Sequence, residues 1–234
     1  MLDTTSKDDQ LIISDETLTK AFSRRNFFGI MGLGTAAILT AAACKKNDSP
    51  FDNTGIDLGS GDIGILNYAY ALEQLEAAFY LQVIKTPYSS MPDMEKMYLT
   101  DVRDHEVAHR EFFKAAIGAK AIPGLEVDFS SIDFTSRTSV LGTAMAFEDL
   151  GVSAYNGAGG LLQSPDYLLL AGKIVSVEAR HAALIRDLIT PGSFADSSAV
   201  DAMGLDKARM PLDVLAIAGK YIKTKINPNN LPKS

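Results

Sequence analysis

The sequence has no tryptophan, a single cysteine and no cluster of basic side chains, and each absence excludes a class of protein. Cys44 alone cannot form an intramolecular disulfide, and it rules out a zinc site built from several thiolates. The formal net charge is −7, and such an acidic chain is a poor partner for nucleic acid. What is present is a 234-residue chain with 47% hydrophobic residues, enough to bury one good core.

The first 44 residues resemble a twin-arginine export signal. Ser23-Arg24-Arg25-Asn26-Phe27-Phe28 is similar to the family pattern S-R-R-x-F-L and opens an apolar run that ends at Ala43. This run of about 17 residues contains three glycines, which is more typical of a signal peptide than of a membrane-spanning helix. The alternative is a helix of the mature domain. We therefore expect export by the twin-arginine route.

Two ways of cleaving the signal are open. Ala41-Ala42-Ala43 satisfies the small-x-small rule for ordinary signal cleavage. Cys44 follows directly, however, which resembles a lipoprotein signal in which the cysteine becomes the lipidated first residue, although that pattern prefers leucine where Ala41 stands. We favour lipidation of Cys44, which gives a periplasmic or membrane-tethered lipoprotein held to a membrane surface. Residues 45–61, rich in Asn, Asp, Ser and Gly, are then a flexible tether.

Apolar residues recur at helical spacing in four segments, which predicts an all-α fold. The helices are expected at about 62–85, 92–118, 137–162 and 164–190. The connection at 121–136 is long for a link between helices, and its alternating apolar and polar residues are compatible with a short extended strap over the bundle. The tail at 191–234 is polar apart from one amphipathic stretch, Pro211 to Ile222, and shows no chemistry of its own.

A duplicated pattern of glutamate and histidine lies on the apolar faces of these helices. Two of the three histidines follow a glutamate by three residues, as Glu106-x-x-His109 and Glu178-x-x-His181. Residues three apart project from the same side of a helix, so each pair can bind one ion. Upstream of each pair, a glutamate precedes a tyrosine by seven residues, as Glu73…Tyr80 and Glu148…Tyr155. The pattern is that of a two-metal carboxylate centre within four helices.

Carboxylates with one imidazole for each ion suit iron or manganese. Burying six ionisable groups without a cation would cost several kcal/mol for each group. The alternative is a site that is degenerate or empty.

Residues 62–190 resemble the ferritin-like superfamily, and in detail the bacterial ferritin-like domain shared with plant desiccation-related proteins. The segments that carry the resemblance are Leu72–Tyr80, His105–His109, Phe147–Gly157 and Val177–His181. The resemblance implies a ferritin-like four-helix bundle with a long crossover between helices two and three, and two Fe or two Mn ions as cofactors. It implies six metal ligands: Glu73, Glu106, His109, Glu148, Glu178 and His181. Glu106 and Glu178 would bridge the two ions.

Other residues near this pattern have open roles. Tyr80 and Tyr155 would lie beside the metals, to donate a hydrogen bond or take part in electron transfer, or they are ordinary core tyrosines. Glu76 is either an extra ligand in space that its counterpart Gly151 leaves, or a neighbour of the ligands; we favour the neighbour. His105 is expected at the surface or beside a ligand rather than as a ligand.

The expected function is that of an exported protein with a dinuclear Fe or Mn centre that reacts with oxygen or peroxide, as a ferroxidase or with catalase-like chemistry. Oxygen, peroxide or Fe(II) would be its substrates. The alternative is a non-enzymatic stress or envelope protein whose metals stabilise the bundle. An iron-storage shell is a weaker third hypothesis, because no self-complementary surface is apparent.

Overall fold

The computed structural model describes residues 53–233. The four long helices are α1 (Gly61–Lys85), α2 (Asp93–Ile117), α3 (Arg137–Gly159) and α4 (Pro165–Ile189). A short helix α5 (Pro211–Ala218) follows, and two-residue strands β1 (Ile56–Asp57) and β2 (Ile226–Asn227) pair in parallel. The prediction of an all-α bundle is confirmed. The predicted export signal and Cys44 lie outside the described residues. Within residues 53–233, no helix has the length and apolar character needed to cross a membrane.

Local sequence signals fix the helix ends. The Ser136 and Ser164 side chains accept hydrogen bonds from the first turns of α3 and α4, as helix-capping serines do. Gly118, with φ of +61°, closes α2 in the left-handed region that favours glycine. The predicted end of the third helix at Leu162 is wrong, since α3 ends at Gly159. Two successive glycines there have low helix propensity, so the chain turns three residues early.

The helices form two hairpins, with α1 packed mainly on α2 and α3 mainly on α4. The connection between the hairpins is an extended strap that lies over α1. The buried side chains of Asn67 and Gln74 accept hydrogen bonds from the backbone N–H groups of Ile122 at 2.9 Å and Leu125 at 2.8 Å. The predicted strap is therefore present as an extended segment at 121–129, and turns follow it before α3.

The C-terminal tail packs back on α3. Val214 and Leu215 of α5 are buried in the core. Just before α5, Arg209 donates its backbone N–H to the Ser153 carbonyl oxygen at 2.9 Å. A Cβ on Gly157 would lie 1.8 Å from the Arg209 carbonyl oxygen, so only glycine allows this close approach.

The tail also contacts the segment that leads into α1, because β2 pairs with β1, which lies just before that helix. Ile56 lies opposite Ile226, and Gly55 has no room for a side chain, since a Cβ there would lie 2.7 Å from the Lys225 carbonyl oxygen. Together, β1 and β2 form a terminal clasp at one end of the bundle.

Candidate metal centre

Each long helix places one fully buried glutamate at the middle of the bundle. These glutamates are Glu73 of α1, Glu106 of α2, Glu148 of α3 and Glu178 of α4, all with 0% exposure. One turn beyond Glu106 and Glu178, His109 and His181 turn their Nδ1 atoms to the same space. The helical periodicity of the sequence explains this arrangement, because a residue three positions on lies above its partner on one helix face.

The six side chains form two overlapping groups, each with four potential ligand atoms within 4.8 Å of one another. One group is Glu73, Glu106, His109 and Glu178, and the other is Glu106, Glu148, Glu178 and His181. Glu106 and Glu178 belong to both groups. The structure therefore brings all six predicted residues together, in a buried cluster that can hold metal.

The distances in the two groups are nearly equal. His109 Nδ1 lies 2.8 Å from Glu178 Oε1 and 3.6 Å from Glu73 Oε2. His181 Nδ1 lies 2.8 Å from Glu106 Oε1 and 3.5 Å from Glu148 Oε2. Each imidazole thus approaches most closely the glutamate of the opposite hairpin, and the cluster has approximate twofold symmetry.

Two tyrosines cross between the hairpins and fix the outer glutamates. Tyr155 of α3 donates its hydroxyl to Glu73 Oε1 of α1, and Tyr80 of α1 donates to Glu148 Oε1 of α3. Burial, followed by the charge of these glutamates, raises the pKa of both phenols well above 10. Each tyrosine therefore stays protonated and holds one carboxylate oxygen, leaving the other oxygen turned to the centre.

Eight buried atoms of the cluster have no hydrogen-bond partner. They are the second oxygens of the outer glutamates, both oxygens of Glu106 and Glu178, and the Nδ1 atoms of the two histidines. The 2.8 Å contacts between the histidine Nδ1 atoms and glutamate oxygens are ion-pair contacts that do not meet the geometry of hydrogen bonds. Buried polar atoms are normally paired, so eight convergent orphans fit cations between them.

The charges of the cluster are strongly perturbed. Although burial lowers it, facing carboxylates raise the pKa of His109 to about 9 and that of His181 to about 12. Burial raises the pKa values of three glutamates, Glu73, Glu106 and Glu148. Glu178 differs, because contact with both histidines outweighs burial and lowers its pKa to about 2. In the metal-free protein the imidazoles carry protons that a metal would displace.

Glu76 lies beside the cluster and is in neither four-residue group. It is 4% exposed, and its Oε1 lies 3.0 Å from where a Cβ on Gly151 would be. Its carboxyl group thus occupies the space that the glycine of the other hairpin leaves. Burial, and then the charges of the four central glutamates, raises its pKa well above 4.5.

His105 contacts a candidate ligand from outside the cluster. Its Nδ1 lies 2.9 Å from His181 Nε2, and the two rings are stacked with an interplanar angle of 9°. The equivalent position in the other hairpin is Val177, which has no such group. The periodicity of α2 places His105 off the apolar face, but no sequence signal indicates that its neighbour is on α4.

Comparison with known proteins agrees with this geometry. A family model described as a ferritin-like domain matches residues 61–191, more than half of the chain and all six residues of the cluster. The chain therefore belongs to the ferritin-like family. No curated protein matches it.

Proposed function

We propose that the cluster binds two ions of iron or manganese, one in each four-residue group, with Glu106 and Glu178 shared between them. The observation that carries the proposal is the set of eight buried atoms that have no partner. Four carboxylates would balance two divalent cations if both imidazoles were neutral, as metal ligands must be. Oxygen ligands with one imidazole for each ion favour iron or manganese over a thiolate-rich zinc site.

We infer further that the centre reacts with dioxygen or peroxide. Bound iron or manganese would supply the one-electron chemistry that these oxidants need. The protein's own part is to hold the site rigid and dry. Tyr80 and Tyr155 fix one oxygen of each outer glutamate, and the four central glutamates have no solvent exposure.

We propose that the domain is related to the bacterial domain shared with plant desiccation-related proteins. We also propose that the protein is exported by the twin-arginine route and carries lipid on Cys44. Twin-arginine systems move folded proteins, which would let the metal be inserted before export. The mass of the mature N-terminal peptide tests this proposal. We expect a lipidated Cys44 and release of the C44A variant from membranes, whereas an intact residue 1 would contradict export.

The alternative is a structural metal site. The observation that supports it is the complete burial of the four central glutamates. In that case the metal contributes to folding free energy and supports no turnover.

One experiment separates the two functions. The purified protein is analysed for metal and then mixed with Fe(II) and dioxygen, or with peroxide, while absorbance and gas release are recorded. We expect about two ions for each chain and a response to at least one oxidant. Metal-loaded protein that is inert to both would leave the structural role. The E106A/E178A double variant is the control, and undiminished metal content in it would refute the ligand assignment.

A further inference from the structure

Two small apolar cavities adjoin each other between the helices. The inner cavity has a volume of about 20 Å³, is bounded by all four long helices, and has no polar atom facing it. The outer cavity, of about 10 Å³, is lined by residues of α1, α2 and α4. Leu66, Phe113 and Ala171 line both cavities, so the two spaces are neighbours.

The two cavities lie between an exposed side chain of α2 and a tyrosine of the candidate metal centre. The outer one is bounded by Phe112, which is 37% exposed and stands at the surface of α2. The inner one is bounded by Leu72 and Tyr155. Leu72 is the residue before Glu73, and the Tyr155 hydroxyl is bonded to the Glu73 carboxylate. The inner cavity therefore reaches the tyrosine that holds a candidate ligand.

The chemistry of the lining selects among small molecules. A space of this size can admit a single diatomic or water-sized molecule. Water and hydrogen peroxide would lose their hydrogen bonds on entering, because no polar atom of the inner cavity replaces them. Dioxygen makes no strong hydrogen bonds to lose. A polar molecule has a different approach, on the side where His105 is exposed and the His109 side chain is 13% exposed.

We propose that these two cavities form the route by which dioxygen reaches the candidate metal centre, an inference that rests on the proposed function. Dioxygen then has a dedicated apolar entrance, while Fe(II), protons and peroxide use the polar face. Oxidation of two Fe(II) ions by one dioxygen, with two protons taken up, yields two Fe(III) ions and one hydrogen peroxide.

Xenon, an apolar probe of similar size, tests the cavities without metal. We expect pressurised xenon to bind in the inner cavity, and this binding to be lost in the A171L variant. In Fe(II)-loaded protein, A171L should slow oxidation by dioxygen by roughly tenfold, because entry now requires displacing an overpacked side chain. Oxidation by anaerobically added peroxide should be unchanged. L170W closes the outer cavity from a half-exposed position and should act in the same way if A171L folds poorly.

A183L is the matched control. It makes the same substitution on the same helix, but in a separate cavity of about 180 Å³ that Arg186 and Phe194 also line. We expect both oxidation rates to match those of the unmodified protein.

The route would be overturned if a variant slowed oxidation by both oxidants equally. It would also be overturned if variants that no longer bind xenon kept an unchanged rate of oxidation by dioxygen. Either result would leave the proposed function standing. A metal-loaded protein that reacts with peroxide alone would do the same. If the unmodified, metal-loaded protein reacted with neither oxidant, both the route and the proposed function would be refuted, even if xenon bound.

Discussion

The α1–α2 hairpin and the α3–α4 hairpin present the same groups to the centre of the bundle, but they surround them differently. Each supplies one glutamate, one tyrosine and one Glu-x-x-His pair, with nearly equal distances. Beside the cluster, α1 carries an extra buried acid, Glu76, where α3 has Gly151. Only the α4 histidine, His181, is supported by a third imidazole, that of His105.

This comparison separates two requirements of the site. The ligand atoms need a fixed, repeated geometry, which helical spacing supplies twice. The surroundings need not repeat, because they adjust the properties of each position rather than create it. Two equivalent groups of candidate ligands therefore lie in inequivalent environments. Some substitutions test the equivalence of the ligands, and others test the difference between their surroundings.

The largest effect is expected from removing a shared glutamate. E106A and E178A should each abolish binding at both positions, whereas E73A and E148A should each remove one. In the metal-free state, E106A should also lower the melting temperature, because it removes the carboxylate that lies 2.8 Å from the protonated His181 imidazole. Metal analysis and thermal melts with and without metal measure both effects. Loss of one ion only from E106A would show that the carboxylate is not shared.

The second prediction concerns the inequivalent histidines. H105A should weaken one of two metal-binding steps by about 10- to 100-fold, since it removes the group that orients the His181 ring. V177A, its counterpart in the other hairpin, should leave both steps almost unchanged. Stepwise calorimetric titration with Mn(II) distinguishes them, and H105N should restore part of the lost affinity. Two equally weakened steps would indicate a general loss of structure instead.

The third prediction concerns the space shared by Glu76 and Gly151. G151A should destabilise the metal-free protein by about 1–3 kcal/mol, because its methyl group would press on the Glu76 carboxyl at 3.0 Å. In an E76A background the same change should stabilise by up to about 1 kcal/mol, through the helix propensity of alanine. Urea unfolding of the four proteins in this cycle gives the coupling. An additive cycle would contradict the proposed contact.

The smallest effect is expected from the crossing tyrosines. Y80F and Y155F should each lower the stability of the metal-loaded protein by about 1 kcal/mol, as the loss of one hydrogen bond does. Because the two bonds are related by the symmetry of the site, the two effects should be similar. Guanidinium unfolding measures both losses of stability. A large difference between Y80F and Y155F would show that the outer glutamates of the two hairpins are also inequivalent.

Much of the architecture could be predicted from the sequence, because helical periodicity determines which side chains face inward. The bundle was found in this way, and so was the position of the glutamates on its inward faces, whereas the set of six ligands was implied by the resemblance to the ferritin-like superfamily. The end of α3 was misplaced, since the apolar pattern continues to Leu162 while Gly159 and Gly160 end the helix.

Contacts between elements far apart in the chain could not be predicted. The stacking of His105 on His181 and the close approach of Arg209 to Gly157 depend on how the elements pack. Periodicity gives the direction of a side chain from its own helix, but it does not give the neighbour that this side chain meets.

The terminal clasp has a mechanical consequence. The chain enters α1 through β1, which is paired with β2 near the other end of the described residues. A pull applied upstream of residue 53 would load these few strand hydrogen bonds before it reached the helices. The clasp would therefore act as a mechanical anchor at the start of α1. The buried residues of the cluster would keep their alignment under such a load.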